Sequence, residues 1–288
     1  ELEDVADEHL ETARQQTDQI VVGLSSKASG LRSPTNSEVD QGYLTALMLH
    51  IDILLRGEDY VNAQRWLNVL KELKPNDNGT VLTEASVQFA IGNHDQAIRL
   101  LMSLASADEG PERTAQLLSV AKLLESMGAR ARLMSNDVGA DVAALTAGAA
   151  HYLEAAQGIL EPLAGQGPDQ QLILAGFYAR QGRADDALNL LEAHWDAASV
   201  AALASSASQL MVGTGRTESA TSRLYAVLAA AYERHPDELS LRLLLADLSG
   251  WMGEYADAER LYREVLADSP NHLVAANNLA YLLASQET

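Results

Sequence analysis

Residues 253–272, GEYADAERLYREVLADSPNH, open on a glycine and turn on a proline near their close. Ala258, Tyr262 and Pro270 stand five, nine and seventeen residues after Gly253. Gly253 suits the turn that ends one helix, where a positive φ is often needed. Ala258 is small enough for two helices to cross closely beside it. Tyr262, one turn further on, shares that face and fills the space next to the crossing. Pro270 stops the second helix because it cannot continue an intrahelical ladder. The unit is a helix–turn–helix.

The same punctuation recurs. Ala97 follows Gly92 by five residues in GNHDQAIRLLMSLA, and Ala187 follows Gly182 by five in GRADDALNLLEAHW. In GEDYVNAQRWLNVLKELKP, Pro75 follows Ala63 by twelve, as Pro270 follows Ala258. Ala63 and Ala97 are 34 residues apart, and so are Pro236 and Pro270. Self-similarity at a fixed period of this length is the signature of a helical repeat array.

These residues resemble the tetratricopeptide repeat family. The likeness is strongest at 239–272 (LLLADLSGWMGEYADAERLYREVLADSP) and 168–199 (LILAGFYARQGRADDALNLLEAHW), and good at 44–77 and 78–111. NNLAYLL at 277–283 looks like the first helix of one more repeat. At 112–167 and 200–236 the pattern blurs: Leu133 stands where a small residue should follow Gly128, and Pro162 is expected to interrupt a helix at 150–165. The resemblance implies an all-α fold, a right-handed α-solenoid superhelix of about seven stacked antiparallel helix pairs.

Around that array, residues 1–24 read as an N-terminal amphipathic helix, with Leu2, Ala6, Leu10, Ala13, Thr17, Ile20 and Leu24 on one stripe. Residues 25–40, with Gly30, Pro34 and clustered Ser, Thr and Asn, read as a flexible linker ending in an N-cap near Ser37. The solenoid spans 41–288, with an incomplete last repeat from 271. A following helix normally helps to cover Leu279, Leu282 and Leu283. The native protein is therefore expected to continue with more repeats or a capping helix, or this end to self-associate. The first residue is Glu, and no charged-then-apolar leader precedes it, which reads as a trimmed or processed chain.

The composition of the 288 residues fits this reading. Hydrophobic residues make up 47%, enough to build a core, and only 5% are aromatic, which favours helices over strands. Twenty Lys and Arg face forty Asp and Glu, giving a net charge of −20. Such a surface repels phosphate backbones, so no nucleic-acid partner is expected; solubility or a cationic partner accounts for the acidity. Without cysteine there are no disulfides, no Cys-ligated zinc and no thiol chemistry. No run of 18 apolar residues offers membrane insertion. The compartment is not legible.

Chemistry leaves few traces. His50, His94 and His194 each have an Asp one or two residues away, but such neighbours do not face each other on a helix, so they read as surface or packing residues. Ligand spacings such as His-x-x-x-His are missing, and no metal or cofactor is expected. GTG at 213–215 lacks the strand and the Gly-Lys-Ser/Thr of a phosphate loop and reads as an interhelical turn. The Ser and Lys of GLSSKAS, in the linker, lack the buried site that a hydrolase needs.

The family resemblance implies instead a non-enzymatic scaffold that holds a protein or peptide in a groove lined by first helices. By spacing from the turn glycines, that groove would show Met48, Asp52 and Arg56, then Ser86 and Phe89, then Gly176 and Arg180. Asp247 and Trp251 would follow, then Asn277 and Tyr281, with Phe89, Trp251 and Tyr281 as anchors. Trp251 packing on a neighbouring helix is the alternative for that residue. Repeats that grip a C-terminal carboxylate use Lys, Arg and Asn in the groove; here Met48, Asp52, Leu82 and Ser86 stand there, and only Asn278 fits. A structural segment with an empty groove, or an enzyme built on the solenoid, are the alternatives to a scaffold.

Overall fold

The structure is a computed structural model that describes residues 10–23, 37–106, 112–134, 142–213 and 217–286. Among them are fourteen helices and no strand, so the all-α reading holds. Residues 1–9 and 25–36, which carry the start of the amphipathic stripe and most of the expected linker, lie outside the described residues; so do Thr214 and Gly215.

The chain divides into two compact units, Glu1–Ala156 and Gln157–Thr288. The first holds α1 (10–23), α2 (Ser37–Arg56), α3 (Tyr60–Leu73), α4 (Asn78–Ala90), α5 (His94–Ser106), α6 (Arg113–Met134) and most of α7 (Val142–Ala164). The second holds α8 (Pro168–Arg180), α9 (Ala184–His194), α10 (Val200–Gly213), α11 (Glu218–Arg234), α12 (Leu239–Trp251), α13 (Tyr255–Asp268) and α14 (Leu273–Gln286).

Within the pairs α2–α3, α4–α5, α8–α9 and α12–α13 the turn is built one way. The N–H of Asp59, Asn93, Arg183 and Glu254 donates to the carbonyl five residues back, on Leu54, Gln88, Tyr178 and Ser249, at 2.8–2.9 Å. This closes the first helix as a Schellman motif and sends the residue before the donor left-handed. That residue is Gly92 (φ 82°), Gly182 (φ 74°) and Gly253 (φ 81°), but in the first pair it is Glu58 (φ 57°), not Gly57. The shift has a simple cause: Ala63 follows Glu58 by five residues, and it follows Gly57 by six.

The alanines five residues on are the crossing points. Ala63, Ala97, Ala187 and Ala258 have no exposed surface. A methyl built on Gly250 would stand 3.9 Å from Ala258 Cβ, so α12 and α13 meet there with nothing larger than methyl between them. Tyr262 is buried beside the crossing, as its spacing predicts.

The blurred stretch at 112–134 and 142–164 consists of two long helices, of 22 and 23 residues against 11–14 in α8, α9, α12 and α13. Neither Gly128 nor Pro162 breaks its helix. Gly128 is a packing position in α6: a methyl there would lie 3.1–3.2 Å from Leu153 and the Ala149 carbonyl. Pro162 sits two residues before the end of α7, where its missing N–H forfeits a single late hydrogen bond rather than a ladder.

The helix at 10–23 joins the core of the first unit. Val21 is fully buried with Leu47, Ile51 and Leu67. Thr17 Oγ1 lies 2.8 Å from Nδ1 of buried His50, and the Arg14 guanidinium donates to Asp59 at 2.6 Å. At the other end of the chain, of the three leucines expected to need a further helix, Leu279 and Leu282 are buried and Leu283 is half-buried. Leu273, Val274 and Tyr281 are the exposed large apolar residues of α14.

Candidate interaction face

In the second unit the first helices of successive pairs lie side by side: α8 packs on α10, α10 on α12 and α12 on α14. Small residues allow the close approach. A methyl on Gly213 would stand 2.2 Å from the Ala179 carbonyl oxygen, so the end of α10 rides directly on the backbone of α8.

Charge is sorted between the two kinds of helix. Second helices α9, α11 and α13 carry Asp185, Asp186 and Glu192, then Glu218, Arg223, Glu233 and Arg234, then Asp257, Glu259, Arg260, Arg263, Glu264 and Asp268. Most of their arginines are tied down: Arg223 spans Glu192, Asp185 and Asn189, Arg260 pairs with Asp257 and Glu264, and Arg263 with Glu259. In contrast, α10 and α14 contain no charged residue at all, α8 contains Asp169 and Arg180, and α12 contains two. One of these, Arg242, is buried and bonded to Asp268 and to the Pro236 carbonyl. The other is Asp247.

Asp247 is half-buried and held in place. Tyr262 O–H and Asn278 Nδ2 both donate to its Oδ1, the latter at 2.9 Å, which links α12 to α13 and α14. Burial, then the hydrogen bond to Asp247, raises the Tyr262 pKa and keeps the phenol protonated as a donor. One turn beyond, Trp251 is partly exposed and lines a cavity of about 350 Å³ with Met252, Glu218, Thr221 and Ser222. Along the row Ile173, Val212, Trp251 and Tyr281 are 36%, 86%, 36% and 77% exposed.

The sequence candidates divide on this structure. In the second unit Arg180, Trp251, Asn277 and Tyr281 are exposed and Asp247 half-exposed. Gly176 is buried, with Gln209 of α10 lying over it, so it offers no groove surface. In the first unit Asp52 and Arg56 are exposed but pair with each other at 2.8 Å. Met48 packs over Gly79, and Ser86 donates to its own helix at Leu82. Phe89 is not an anchor: it is 5% exposed, and its ring meets His94 and Tyr152 edge to face, with the Arg130 guanidinium 5.8 Å from its centroid. A buried aromatic that already has ring partners has no face to give to a ligand.

Sequence spacing missed Val212, and missed Tyr262 and Asn278 as the residues that fix Asp247. The first unit has an open, polar cleft of about 640 Å³ beside His94, Arg99, Gly148 and His151. Its His94 Nδ1 lies 3.3 Å from Tyr152 O–H, and Arg99 binds the Gln96 amide. Among the described residues no group of three His, Cys, Asp or Glu could hold a metal ion, and no helix is long and apolar enough to cross a membrane.

No protein-family model matches the chain, and no curated protein matches it by sequence. Solved structures to which the chain is similar include a tetratricopeptide repeat protein from Parabacteroides merdae, at 14% identity and TM-score 0.41, over 95% of this chain and 98% of that one. Yeast Tom70 matches at 12% identity and TM-score 0.43, over 96% of this chain and 61% of that one. A structure of Naa15/Naa10 bound to HypK-THB matches at 15% identity and TM-score 0.36, over 92% of this chain and 43% of that one. The chain thus spans less than two thirds of the length of the last two. Its repeated helix pairs, with their common turn and crossing alanine, are tetratricopeptide-repeat-like.

Proposed function

We propose that this protein is a non-enzymatic interaction scaffold, and that the first-helix row of its second unit receives a peptide or protein segment. One observation carries the reading. In a chain of net charge −20, the row α10–α12–α14 is nearly free of charge yet exposes Val212, Trp251 and Tyr281. Large apolar side chains exposed along nearly uncharged helices are what a partner's burial would recover, at about 25 cal/mol per Å². Aromatic residues at such a face are favoured as anchors. Several ionisable groups are engaged in holding helices together: Arg242 with Asp268, Arg223 with Glu192, His50 with Thr17.

The test is a capture experiment from the native source with wild-type protein and with Trp251→Ala/Tyr281→Ala, read by mass spectrometry. Partners retained by the wild type and lost by the variant support the row as the site. Identical partner sets would overturn it.

A further inference from the structure

We infer that Asp247 is the specificity residue of this row, and that it selects a peptide segment that is apolar but carries one lysine or arginine. The inference rests on the first-helix row being the binding face. It comes from how the carboxylate is placed rather than from the overall acidity. Both donors that fix Asp247, Tyr262 O–H and Asn278 Nδ2, use the same oxygen, Oδ1. Oδ2 has no hydrogen-bond partner among the described residues, and Asp247 takes part in no ion pair among them. A carboxylate locked through one oxygen and open at the other is pre-organised to accept a charged donor, so little ordering entropy is lost when one arrives.

The surroundings make this charge stand out. The flanking helices α10 and α14 supply no competing cation and no second anion. On α12 itself, Arg242 is buried and committed to Asp268, with Glu264 at 4.0 Å. On α13, Arg260 and Arg263 are paired with Asp257, Glu264 and Glu259. On α11, Glu218 lines the Trp251 cavity as a second carboxylate, but Asp247 is the one on α12 itself, fixed by hydrogen bonds from α13 and α14, with Trp251 one turn away on the same helix. A segment with an acidic residue opposite Asp247 would be repelled. An apolar segment without a cation would leave a partly desolvated carboxylate unpaired.

The test is selection from a randomised peptide library displayed on phage, using the full chain. Wild-type protein should enrich sequences with Lys or Arg at one position among apolar residues; Asp247→Lys should enrich Asp or Glu there, and Asp247→Asn neither. Glu233→Gln, which removes an equal charge from an exposed site on α11, should select as the wild type does. Selected peptides are then resynthesised with the basic residue replaced by norleucine, and affinity is read by fluorescence anisotropy. A loss of about tenfold or more is expected. Separate Lys and Arg versions distinguish the two cations. An unchanged affinity, or a basic position enriched equally by Asp247→Asn, would overturn the assignment while leaving the row as the site. Binders whose capture is indifferent to Trp251 and Tyr281, or no binders at all, would overturn both. The norleucine comparison uses wild-type protein, so it stands even if a variant misfolds.

Discussion

Replacing Glu58 by glycine should stabilise this protein, although it deletes a side chain and adds chain freedom. Four turns share one left-handed residue, and three of them place glycine there. At φ 57°, Glu58 holds its Cβ against the following carbonyl, a strain of roughly 1–2 kcal/mol for an L-residue. Glycine removes that strain but adds about 0.4–1 kcal/mol of unfolded-state entropy to be lost on folding. The difference is a gain of about 0.5–1 kcal/mol. Glu58 is exposed, and only its backbone is engaged, its N–H meeting the Leu55 carbonyl at 3.2 Å. No favourable contact is therefore lost.

Gly253→Ala is the mirror experiment. A methyl built there meets nothing within 4 Å, so its cost is backbone strain less the entropy that alanine removes from the unfolded chain, and should match the gain in size. Urea unfolding of the full chain, followed by tryptophan fluorescence and far-ultraviolet circular dichroism, reads both. With m near 2 kcal/mol/M, a midpoint change of about 0.4 M is expected, upward for Glu58→Gly and downward for Gly253→Ala. If Glu58→Gly lowers the midpoint, or both variants leave it unmoved, the shared-turn reasoning is wrong.

Other substitutions probe the packing and the charges. Gly213→Ala should cost about 1–3 kcal/mol, because its methyl would fall 2.2 Å from a backbone oxygen of α8 that cannot rotate away; a thermal shift within error would contradict this. Arg242→Met should cost about 1.5–3 kcal/mol through the lost charged hydrogen bonds to Asp268 and the Pro236 carbonyl, and Asp268→Asn, whose partner stays buried, should cost no less. His50 has its pKa lowered from 6.5, first by burial, with Asp18 opposing. A histidine that is harder to protonate when folded leaves stability whole above pH 6.5 and erodes it as pH falls below, since the unfolded chain then binds the proton more readily. Urea midpoints measured from pH 8 to pH 5 should drop, and His50→Gln should flatten that drop; an unchanged slope would remove His50 from the account.

What could be read from the sequence follows the physics of each signal. A crossing alanine and a left-handed glycine are local demands on single residues, so their spacing announced the paired helices and the period. The long α6 and α7 gave no such signal: a glycine that packs against Leu153 and a proline near a helix end look the same in sequence as ones that make turns. Register within a helix can be counted where a turn glycine supplies the origin, as Gly253 does for Asp247 and Trp251, and carried to Tyr281 by the 34-residue period. Depth did not transfer. Phe89 stands at the right spacing for a groove anchor, but Tyr152, 63 residues on, closes over its ring. Nor did the link from Tyr262 and Asn278 to Asp247, since it joins three helices.

The net charge points to a strongly cationic partner, and the placement of the charges points elsewhere. If a partner docked on the acidic second helices, several ion pairs would form and affinity would collapse as salt screens them beyond the Debye length, about 8 Å at 0.15 M. The row α10–α12–α14 offers a single carboxylate, half-buried and fixed through Oδ1, among exposed apolar groups. Binding there exposes one pair to screening, and apolar burial is strengthened, not weakened, by excluded salts. For peptides selected on the wild type, dissociation constants between 0.05 and 0.5 M salt should therefore change by only about threefold to tenfold, since screening can remove at most one partly exposed pair. A change of several hundredfold would mean that many charges bind at once. It would move the site from the first-helix row to the acidic surface of the second helices.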